Sequence, residues 1–551
     1  MMPRVASGAM MPTVLAPRRG QVLRPEFPKP AQKRDLASRV KPTLQRVVRL
    51  EEERAKWRPL LEAAYRLFLP QRDPFNPGMT GSQKGGQVLT STPSRALKKF
   101  ASRTQQGSLP SNRMWTRLRA GMDIPKAERD AANRFFEEQT EILFQHLNHS
   151  NLGTQAHEAI LDMGISTGAL LVQDGGAERS LRFTAVPPHE LLIDEGPFGE
   201  IEDVFRTRRL KRRVIERNWP QFEYSSQAEQ AVAGKKAEEK EEVELDIVEA
   251  TIFAPATGIF QYLVIEKEAK HLGFGDEMEW SPWVIFRWSV AAGESYGRGP
   301  AMDALADART LQRVKELVLQ NAALAVAGVY TAVDDDVLDV WNISLEPGAV
   351  VPVGQHESLK ALETSHNFDV AQLIIADLER SIMECMMALE MGAVDATPVK
   401  TATEWLMREQ ESAKDQGSNL GRVYSELVMP IVRKSTAILV KRGALAPFKV
   451  DGKEVDLDPD SPLSRAQDEE EILRVQTVLG VLAPFGMAVV DRALKIDVIA
   501  RKIAQKGGVW AEAIRTEDEV GERLEQEQEA AGAALEAGVD PTQMAKAAMA
   551  A

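Results

Sequence analysis

Two long segments with a helical spacing of apolar residues, separated by a short interval, constrain the fold of this chain more than any other feature. In residues 299–327 the apolar positions recur three and four apart, which predicts a rod of about 40 Å. The interval 328–366 has strand and turn signals, and a second amphipathic helix is predicted from Phe368 to Glu390. The pattern therefore predicts two neighbouring rods joined at one end by a small β-containing region.

Helical periodicity also precedes this pair. A helix is predicted from near Pro42 to Phe68, a second begins at a cap near Ser91, and residues 127–163 again place apolar side chains three and four apart. From about 169 to 290, short apolar runs separated by Gly and Pro predict strands. The first half of the chain is therefore expected to combine helices with a β-rich part.

Helices are predicted to dominate after the pair as well. Residues 391–400 break the pattern, and a long helix then runs from Thr401 or Thr403 to about Lys441, with a kink at Pro430. The remainder predicts an acidic turn at 456–462 and helices near 466–482 and 488–505. The fold class expected from the whole chain is α+β, mostly helical.

The N-terminal 44 residues are rich in Arg, Lys and Pro and carry few acidic residues. This composition predicts a basic, extended arm. Two interpretations are equally favoured: an anchor onto a partner surface or nucleic acid, and a flexible terminus whose charge aids solubility.

Composition excludes several classes of protein. No apolar run approaches the roughly twenty residues of a bilayer span, and the Met-Met-Pro-Arg start is unlike a secretory signal, so a cytoplasmic chain without membrane contact is expected. Cys385 is the only cysteine, which excludes an internal disulfide and multi-cysteine metal sites. The net charge of −13 has the wrong sign for a broad surface that wraps nucleic acid.

Several short stretches match the letters of catalytic motifs, but their surroundings do not fit those motifs. Gly164–Gly168 fits a nucleophile elbow, but a helix precedes it and a strand follows, which is the reverse of the order that motif needs. His157 and Glu158 lack the second histidine of a zinc motif, and the glycines around Lys84 lack the P-loop order. Asp456, Asp458 and Asp460 fit an acidic turn better than a calcium loop. No catalytic residue, metal site or cofactor is therefore predicted, and the chain is not expected to be an enzyme.

Four short motifs occur in a characteristic order and spacing. They are Leu69-Pro70-Gln71-Arg72, Leu109-Pro110 followed by Arg113-Met114-Trp115, the run from Arg287-Trp288 to Gly299-Pro300, and Thr401-Ala402-Thr403-Glu404 with Arg408 and Glu411. With this set, the chain resembles the head-to-tail connector, or portal, proteins of short-tailed bacteriophages over roughly residues 45–445.

The resemblance implies a homo-oligomeric ring, usually of twelve subunits, at one vertex of a virus capsid. Double-stranded DNA is pumped through its axial channel by the separate terminase large subunit, and a tail adaptor protein binds later. Capsid and scaffolding proteins are further implied partners. The protein would be assembled in the host cytoplasm and reside in the virion.

The resemblance also implies a division of the chain into named regions. These are a basic arm at 1–44, a wing at 45–298 with its β-rich part at about 169–298, a first stem helix at 299–327, a clip at 328–366, a second stem helix at 367–390, a tunnel loop at 391–400, a long wing helix at 401–445, and a crown with C-terminal tail at 446–551.

Candidate functional residues follow from that division. The tunnel loop would face DNA, and repeated acidic residues along the channel would repel phosphate so that the duplex slides. Cations of the first stem helix either form sparse basic rings or, as the favoured alternative, salt bridges, with several pairings between subunits left open. Trp341 is either a core anchor or an interface residue of the clip. The candidates are Met391, Gly392, Ala393, Val394, Asp395 and Lys400 in the loop, and Asp303, Asp307, Arg309, Arg313 and Lys315 in the stem.

Two alternatives stay open. One is a DNA-packaging or DNA-processing enzyme, which nucleotide hydrolysis by the purified chain would favour. The other is a tail adaptor or scaffold protein without a channel.

Overall fold

The computed structural model describes residues 33–72, 75, 88–111, 113–125, 128–176, 178–234, 236–327, 330–332, 359–361, 368–388, 421–448, 450, 455–459, 462–482, 494, 496–506 and 519–521. Within these ranges helices and antiparallel sheets are mixed, and helical residues outnumber strand residues. The predicted α+β, mostly helical class is confirmed.

Four helices form the N-terminal part of the described chain. The first begins at Lys33, well before the predicted start near Pro42, because Leu36 and Val40 lie one turn apart and are buried against a sheet. The extended arm predicted for residues 1–44 is therefore wrong for residues 33–44. The helices are α1 (Lys33–Phe68), α2 (Thr92–Ser108), α3 (Arg129–His149) and α4 (Leu152–Ile165), with a short 3-10 turn at Pro70–Arg72 after α1.

The predicted β-rich part contains two antiparallel sheets. One has five strands in the order β4-β5-β6-β7-β8, and the other has three in the order β3-β2-β9. Three short helices, α5 (Arg212–Asn218), α6 (Ser226–Val232) and α7 (Ala237–Glu241), connect β5 to β6. The strands are β2 (Thr167–Asp174), β3 (Leu181–Ala185), β4 (Leu191–Glu195), β5 (Ile201–Lys211), β6 (Glu244–Ala254), β7 (Ile259–Glu266), β8 (His271–Met278) and β9 (Trp283–Arg287).

A small two-stranded sheet corrects one prediction. The acidic turn predicted at 456–462 is wrong at its start, where strand β12 (Val455–Pro459) pairs antiparallel with β1 (Thr116–Ala120). Val455 and Leu457 are buried, while Asp456 between them is exposed. This alternation belongs to a strand, and the proline at its end does not interrupt it.

The two predicted rods are present and pack against each other, but the second ends at Cys385 and not at the predicted Glu390. A short helix, α8 (Pro300–Asp303), leads into the first, α9 (Leu305–Ala327), and the second is α10 (Phe368–Cys385). The strand signal between them is confirmed by β10 (Tyr330–Ala332), which pairs antiparallel with β11 (Leu359–Ala361). The helix, strand pair, helix order therefore matches the order predicted from the periodicity.

Three further helices complete the described chain. The helix predicted to end near Lys441 contains a π-helical segment (Tyr424–Val428), followed by α11 (Met429–Lys441) with Pro430 in its first turn. Val428 and Met429 keep helical backbone angles, so Pro430 lies inside a continuous helical stretch, directly after the π-helical segment. Proline and π turns are both common where a helix departs from regular α geometry. The next helix, α12 (Pro462–Leu482), lies close to its predicted range. Helix α13 (Ile496–Lys506) ends as predicted but begins eight residues after the predicted start at 488.

The largest core cluster joins these parts. It contains buried residues from the helices α1 to α4, the three-stranded sheet, both long helices and α11. The Phe100 ring of α2 packs edge-on against Trp288 after β9, with centroids 5.0 Å apart. In the part of the chain that the structure describes, no helix has the length and hydropathy needed to cross a bilayer.

Candidate functional site

The long helices α9 and α10 hold each other by apolar side chains at helical spacing. Ala308 and Leu311 of α9, Ile382 of α10 and Met386 directly after α10 are buried and belong to the same core cluster. Each pair lies three or four residues apart, so each helix turns one stripe toward the other. The register of the helix pair is therefore set near the start of α9 and the end of α10.

Polar contacts supplement this packing. The Lys315 ammonium of α9 lies 2.7 Å from Glu379 Oε1 of α10 and donates at 3.2 Å to Thr90. Burial alone would raise the pKa of Glu379, but its hydrogen bond and proximity to Lys315 hold the pKa below its ordinary value. Ser381 Oγ donates to Asp307 Oδ2 at 2.6 Å. The two helices are thus joined by one salt bridge and one neutral–ion hydrogen bond.

These contacts show the surroundings of the five residues predicted for the stem. Asp307 and Lys315 are half-buried and bind across the pair, while Arg313 is exposed and forms a 2.7 Å salt bridge with Glu316 of its own helix. Asp303 and Arg309 are exposed, and Arg309 has no ion-pair partner among the described residues. Salt bridges within the chain therefore involve Arg313 and Lys315, and a channel-lining role for any of the five stays a prediction.

The remaining candidates lie outside the described residues. They are Met391, Gly392, Ala393, Val394, Asp395 and Lys400 of the predicted loop, and Trp341 of the interval between the long helices.

The segment from Arg287 to Pro300 anchors the helix pair through close backbone contacts. A Cβ atom on Gly299 would lie 2.2 Å from the backbone oxygen of Gly164, and one on Gly297 would lie 2.9 Å from that of Ser166. Only glycine permits these approaches. The glycines therefore allow a tight entry from strand β9 into the helices α8 and α9.

The same contacts explain the role of residues Gly164–Gly168, whose letters match the nucleophile-elbow motif. Helix α4 ends at Ile165 and β2 begins at Thr167, which is the helix-to-strand order predicted from the sequence. Ser166 is buried and its Oγ donates to the Gly297 carbonyl at 3.0 Å. The serine therefore joins two chain segments and is not presented as a nucleophile.

Tyr296 and Arg298 pack locally. Tyr296 is buried, with its ring 6.0 Å from the Trp57 ring of α1. Arg298 forms a 2.6 Å salt bridge with Glu294, and its guanidinium lies over Trp57 at 5.1 Å from the ring centroid. Contacts within the chain therefore account for the positions of both side chains.

Arg287 is the centre of a buried ion network that sequence reasoning missed. Its Nη1 lies 2.7 Å from Glu195 of β4 and its Nη2 lies 3.0 Å from Glu426 of the π-helical segment. Glu426 also accepts a 2.9 Å hydrogen bond from the Arg287 backbone amide. One cation thus joins β9, β4 and the start of the C-terminal helices, and charge-assisted bonds of this kind fix the relative positions of their partners.

Arg72 of the Leu-Pro-Gln-Arg motif has a similar role. It lies 3.1 Å from the fully buried Asp162 of α4 and 2.6 Å from Glu158, while the Tyr65 hydroxyl donates to Asp162 at 2.8 Å. Burial raises the pKa of Asp162 to about 7, although Arg72 and Tyr65 oppose the rise. The motif therefore fixes the end of α1 onto α4.

The chemistry of the site is structural. Among the described residues, no group of three His, Cys, Asp or Glu side chains is arranged to hold a metal ion. His157, the first residue of the incomplete zinc motif, contacts a glutamine. Its Nδ1 atom lies 2.9 Å from Gln105 Oε1. What the arrangement does is hold a pair of long helices at a defined angle to a sheet. We call the Arg287–Pro300 segment with its contacts to α1, α4, β4 and the π-helical segment the junction.

The chain has recognisable relatives. The sequence model of the family described as "Bacteriophage head to tail connecting protein" matches residues 41–514. A "Probable portal protein" of Bordetella phage BPP-1 is 23% identical over 504 residues, which cover 86% of this chain and 88% of that protein.

Chains of two solved assemblies also match this chain, with low TM-scores. A chain of the virion of a native gene transfer agent particle is 10% identical with a TM-score of 0.32, covering 78% of this chain and 90% of that one. A chain of the neck of an empty particle of the same kind is 10% identical with a TM-score of 0.31, covering 71% and 87%.

Proposed function

This chain belongs to the bacteriophage head to tail connecting protein family, and we propose that it forms the portal ring through which double-stranded DNA enters and leaves a phage capsid. The family is structural, and the proposal assigns no catalytic step to the chain. Membership over residues 41–514 covers the junction, both long helices and the C-terminal helices, so the proposal concerns nearly all of the chain.

One observation in the structure carries the ring proposal. Helix α10 has a second apolar stripe, Val370, Leu373 and Ile374, whose side chains are 57%, 73% and 43% exposed. They lie three and four residues apart on one face, and Leu317 and Leu319 of α9 are exposed as well. Apolar surface concentrated in this way marks an interaction site, and a neighbouring copy in a ring would cover it.

In this ring the helices α9 and α10 are the stem, the interval 328–366 is the clip and residues 391–400 are the tunnel loop that faces DNA. The wing is 45–298 with the long helix 401–445, and the crown and tail follow from 446. The overall charge of −13, repeated in every subunit, makes the ring as a whole negative, which disfavours tight trapping of DNA. Twelve subunits, the terminase large subunit, a tail adaptor, and capsid and scaffolding proteins complete the proposed assembly.

The ring proposal is tested by changing the second stripe of α10. We expect the wild-type chain to form closed rings with an open axis in electron micrographs, and Leu373→Glu to give mainly monomers by mass photometry, because a charge cannot be buried between subunits without a partner. Met122→Glu is the matched control, since Met122 is 83% exposed and lies outside the long helices.

Two results would contradict the proposal. A wild-type chain that stays monomeric at high concentration has no ring to form a channel. Rings of unchanged size and stability in Leu373→Glu would show that the second stripe is not the subunit interface.

A further inference from the structure

Residues 74–122 carry eight Lys or Arg and no Asp or Glu, in a chain whose acidic residues outnumber its basic ones by 81 to 68. Helix α2 lies in the middle of this stretch. A run of this length without one acidic residue is unexpected in an acidic protein, and it indicates a surface selected for positive charge.

The cations of α2 share one face. Arg95, Lys98, Lys99 and Arg103 fall within one arc of the helical wheel, and the opposite arc carries the buried Ala96, Leu97, Phe100, Ala101 and Thr104. Arg95, Lys98 and Arg103 are exposed, and Lys99 is half-buried. We call these four residues the α2 basic face, which is about 12 Å long from Arg95 to Arg103.

Two of the four cations, Arg95 and Lys98, have no salt bridge to a described acidic residue. Glu379 of α10 is near enough to Arg95 for that charge to help hold its pKa below the ordinary value, but Lys315 already pairs with the same carboxylate. Neither Arg95 nor Lys98 has an ion-pair partner among the described residues. Arg95 and Lys98 therefore keep positive charge that no described carboxylate pairs with.

The position of α2 indicates which polyanion it meets. Helix α2 packs against α10, and the Arg103 guanidinium donates to the carbonyl of Met387, just after the end of that helix. Four residues further along the chain is Met391, where the proposed tunnel loop begins. The α2 basic face thus adjoins the part of the ring that the proposed function turns toward DNA.

We infer that the α2 basic face binds the phosphate backbone of double-stranded DNA as it passes the end of the second long helix. This inference rests on the proposed function and adds a contact that the predicted loop and stem candidates do not include. A duplex presents about seven phosphates along 12 Å of its axis, so one copy of the face meets enough charge for several contacts. Contacts with phosphate alone do not depend on base sequence, which suits a conduit for a whole genome.

The test measures binding of the purified ring to a short fluorescent duplex over a range of salt concentrations. Arg95→Gln with Lys98→Gln should reduce the slope of log Kd against log salt by about 2 for each subunit that contacts the duplex. Both residues are exposed and unpaired in the described structure, so ring formation should not change. The charge-conserving pair Arg95→Lys with Lys98→Arg should keep the wild-type slope.

A control removes the same charge elsewhere. Arg217 of α5 and Lys236 before α7 are exposed and have no ion-pair partner among the described residues, so Arg217→Gln with Lys236→Gln should leave the slope unchanged. An equal reduction in this control would overturn the inference, because net charge alone would then explain the effect.

Other outcomes separate this inference from the proposed function. Intact rings of the α2 variant with the wild-type slope would overturn the inference and leave the portal proposal standing. If the α2 variant keeps the wild-type slope but no longer binds purified capsid or scaffolding protein, the face recognises an acidic protein and not DNA. A chain that forms no ring would overturn the proposed function, while its salt slope would still decide whether α2 binds DNA.

Discussion

The polar groups of the junction are buried inside the chain, whereas the far side of the long helix pair exposes apolar side chains to solvent. At the junction, Arg287 and Asp162 are buried with charged partners, and Gly299 touches backbone. On α10, Leu373 is largely exposed and nothing in the described chain covers it. The difference teaches that the polar groups of the junction find their partners within one chain, while the long helices carry apolar surface that the proposed ring would cover. Changes at the junction should therefore affect the stability of the isolated chain most.

The largest effect is expected from Arg287→Met. Removing this cation leaves Glu195 and Glu426 without their charged partner in a mostly buried site, which should lower the free energy of unfolding by about 4 kcal/mol. Denaturant unfolding of the purified chain measures this. A loss below about 1 kcal/mol would mean that the junction does not stabilise the chain in the way described.

The next largest effect is expected from Gly299→Ala. The added methyl group would clash with the backbone of Gly164, which cannot move as a flexible side chain does, so we expect a loss of about 3 kcal/mol. The control is Gly107→Ala in α2, where a Cβ atom meets nothing within 4 Å and the helix should gain about 0.5 kcal/mol. Equal changes in the two variants would contradict the close contact at Gly299.

A pH dependence of intermediate size is expected from Asp162. Burial raises its pKa in the folded chain to about 7, against an ordinary value of 3.8, so the folded state holds the proton more tightly. Stability should therefore fall as the pH rises from about 4 to about 7, and the wild type should lose about 2 kcal/mol relative to Asp162→Asn across about pH 5 to 7. Unfolding curves of both proteins over this range measure it, and parallel curves would show that Asp162 is ionised throughout.

The smallest effect is expected within the long helix pair. Lys315→Met removes a partly exposed salt bridge to Glu379, which should cost the isolated chain about 1 kcal/mol. Thermal unfolding of the variant and of Arg313→Met, whose salt bridge is more exposed, should rank Lys315 first. A loss at Lys315 as large as that at Arg287 would remove the contrast between the two regions.

The elements that were predicted well are those in which apolar residues recur at a regular spacing over many residues. The apolar spacing of α9 and α10 repeats over several turns, so it determines the helix whatever the tertiary context. Strand β12 was missed because only Val455 and Leu457 show its alternation, and the neighbouring Asp and Pro residues are typical of turns. The start of α1 was missed because Pro42 is usually a helix start, and here it lies inside the helix.

The junction shows why site residues were harder to predict than elements. Several glycines in a short run, as before Pro300, are a local signal of close backbone contact, and Gly297 and Gly299 make such contacts. The partners of Arg287, however, are 92 and 139 residues away in the chain, and no local pattern relates Glu195 or Glu426 to it. Only the fold brings these charges together.

The π-helical segment at Tyr424–Val428 has a consequence for how the C-terminal helices are interpreted. A π turn holds one residue more than an α turn, which rotates the following residues by about 100° around the axis. Side chains before Tyr424 and after Val428 therefore follow two helical wheels with different phases. Substitutions meant to line up on one side of this stretch should be chosen with that rotation included.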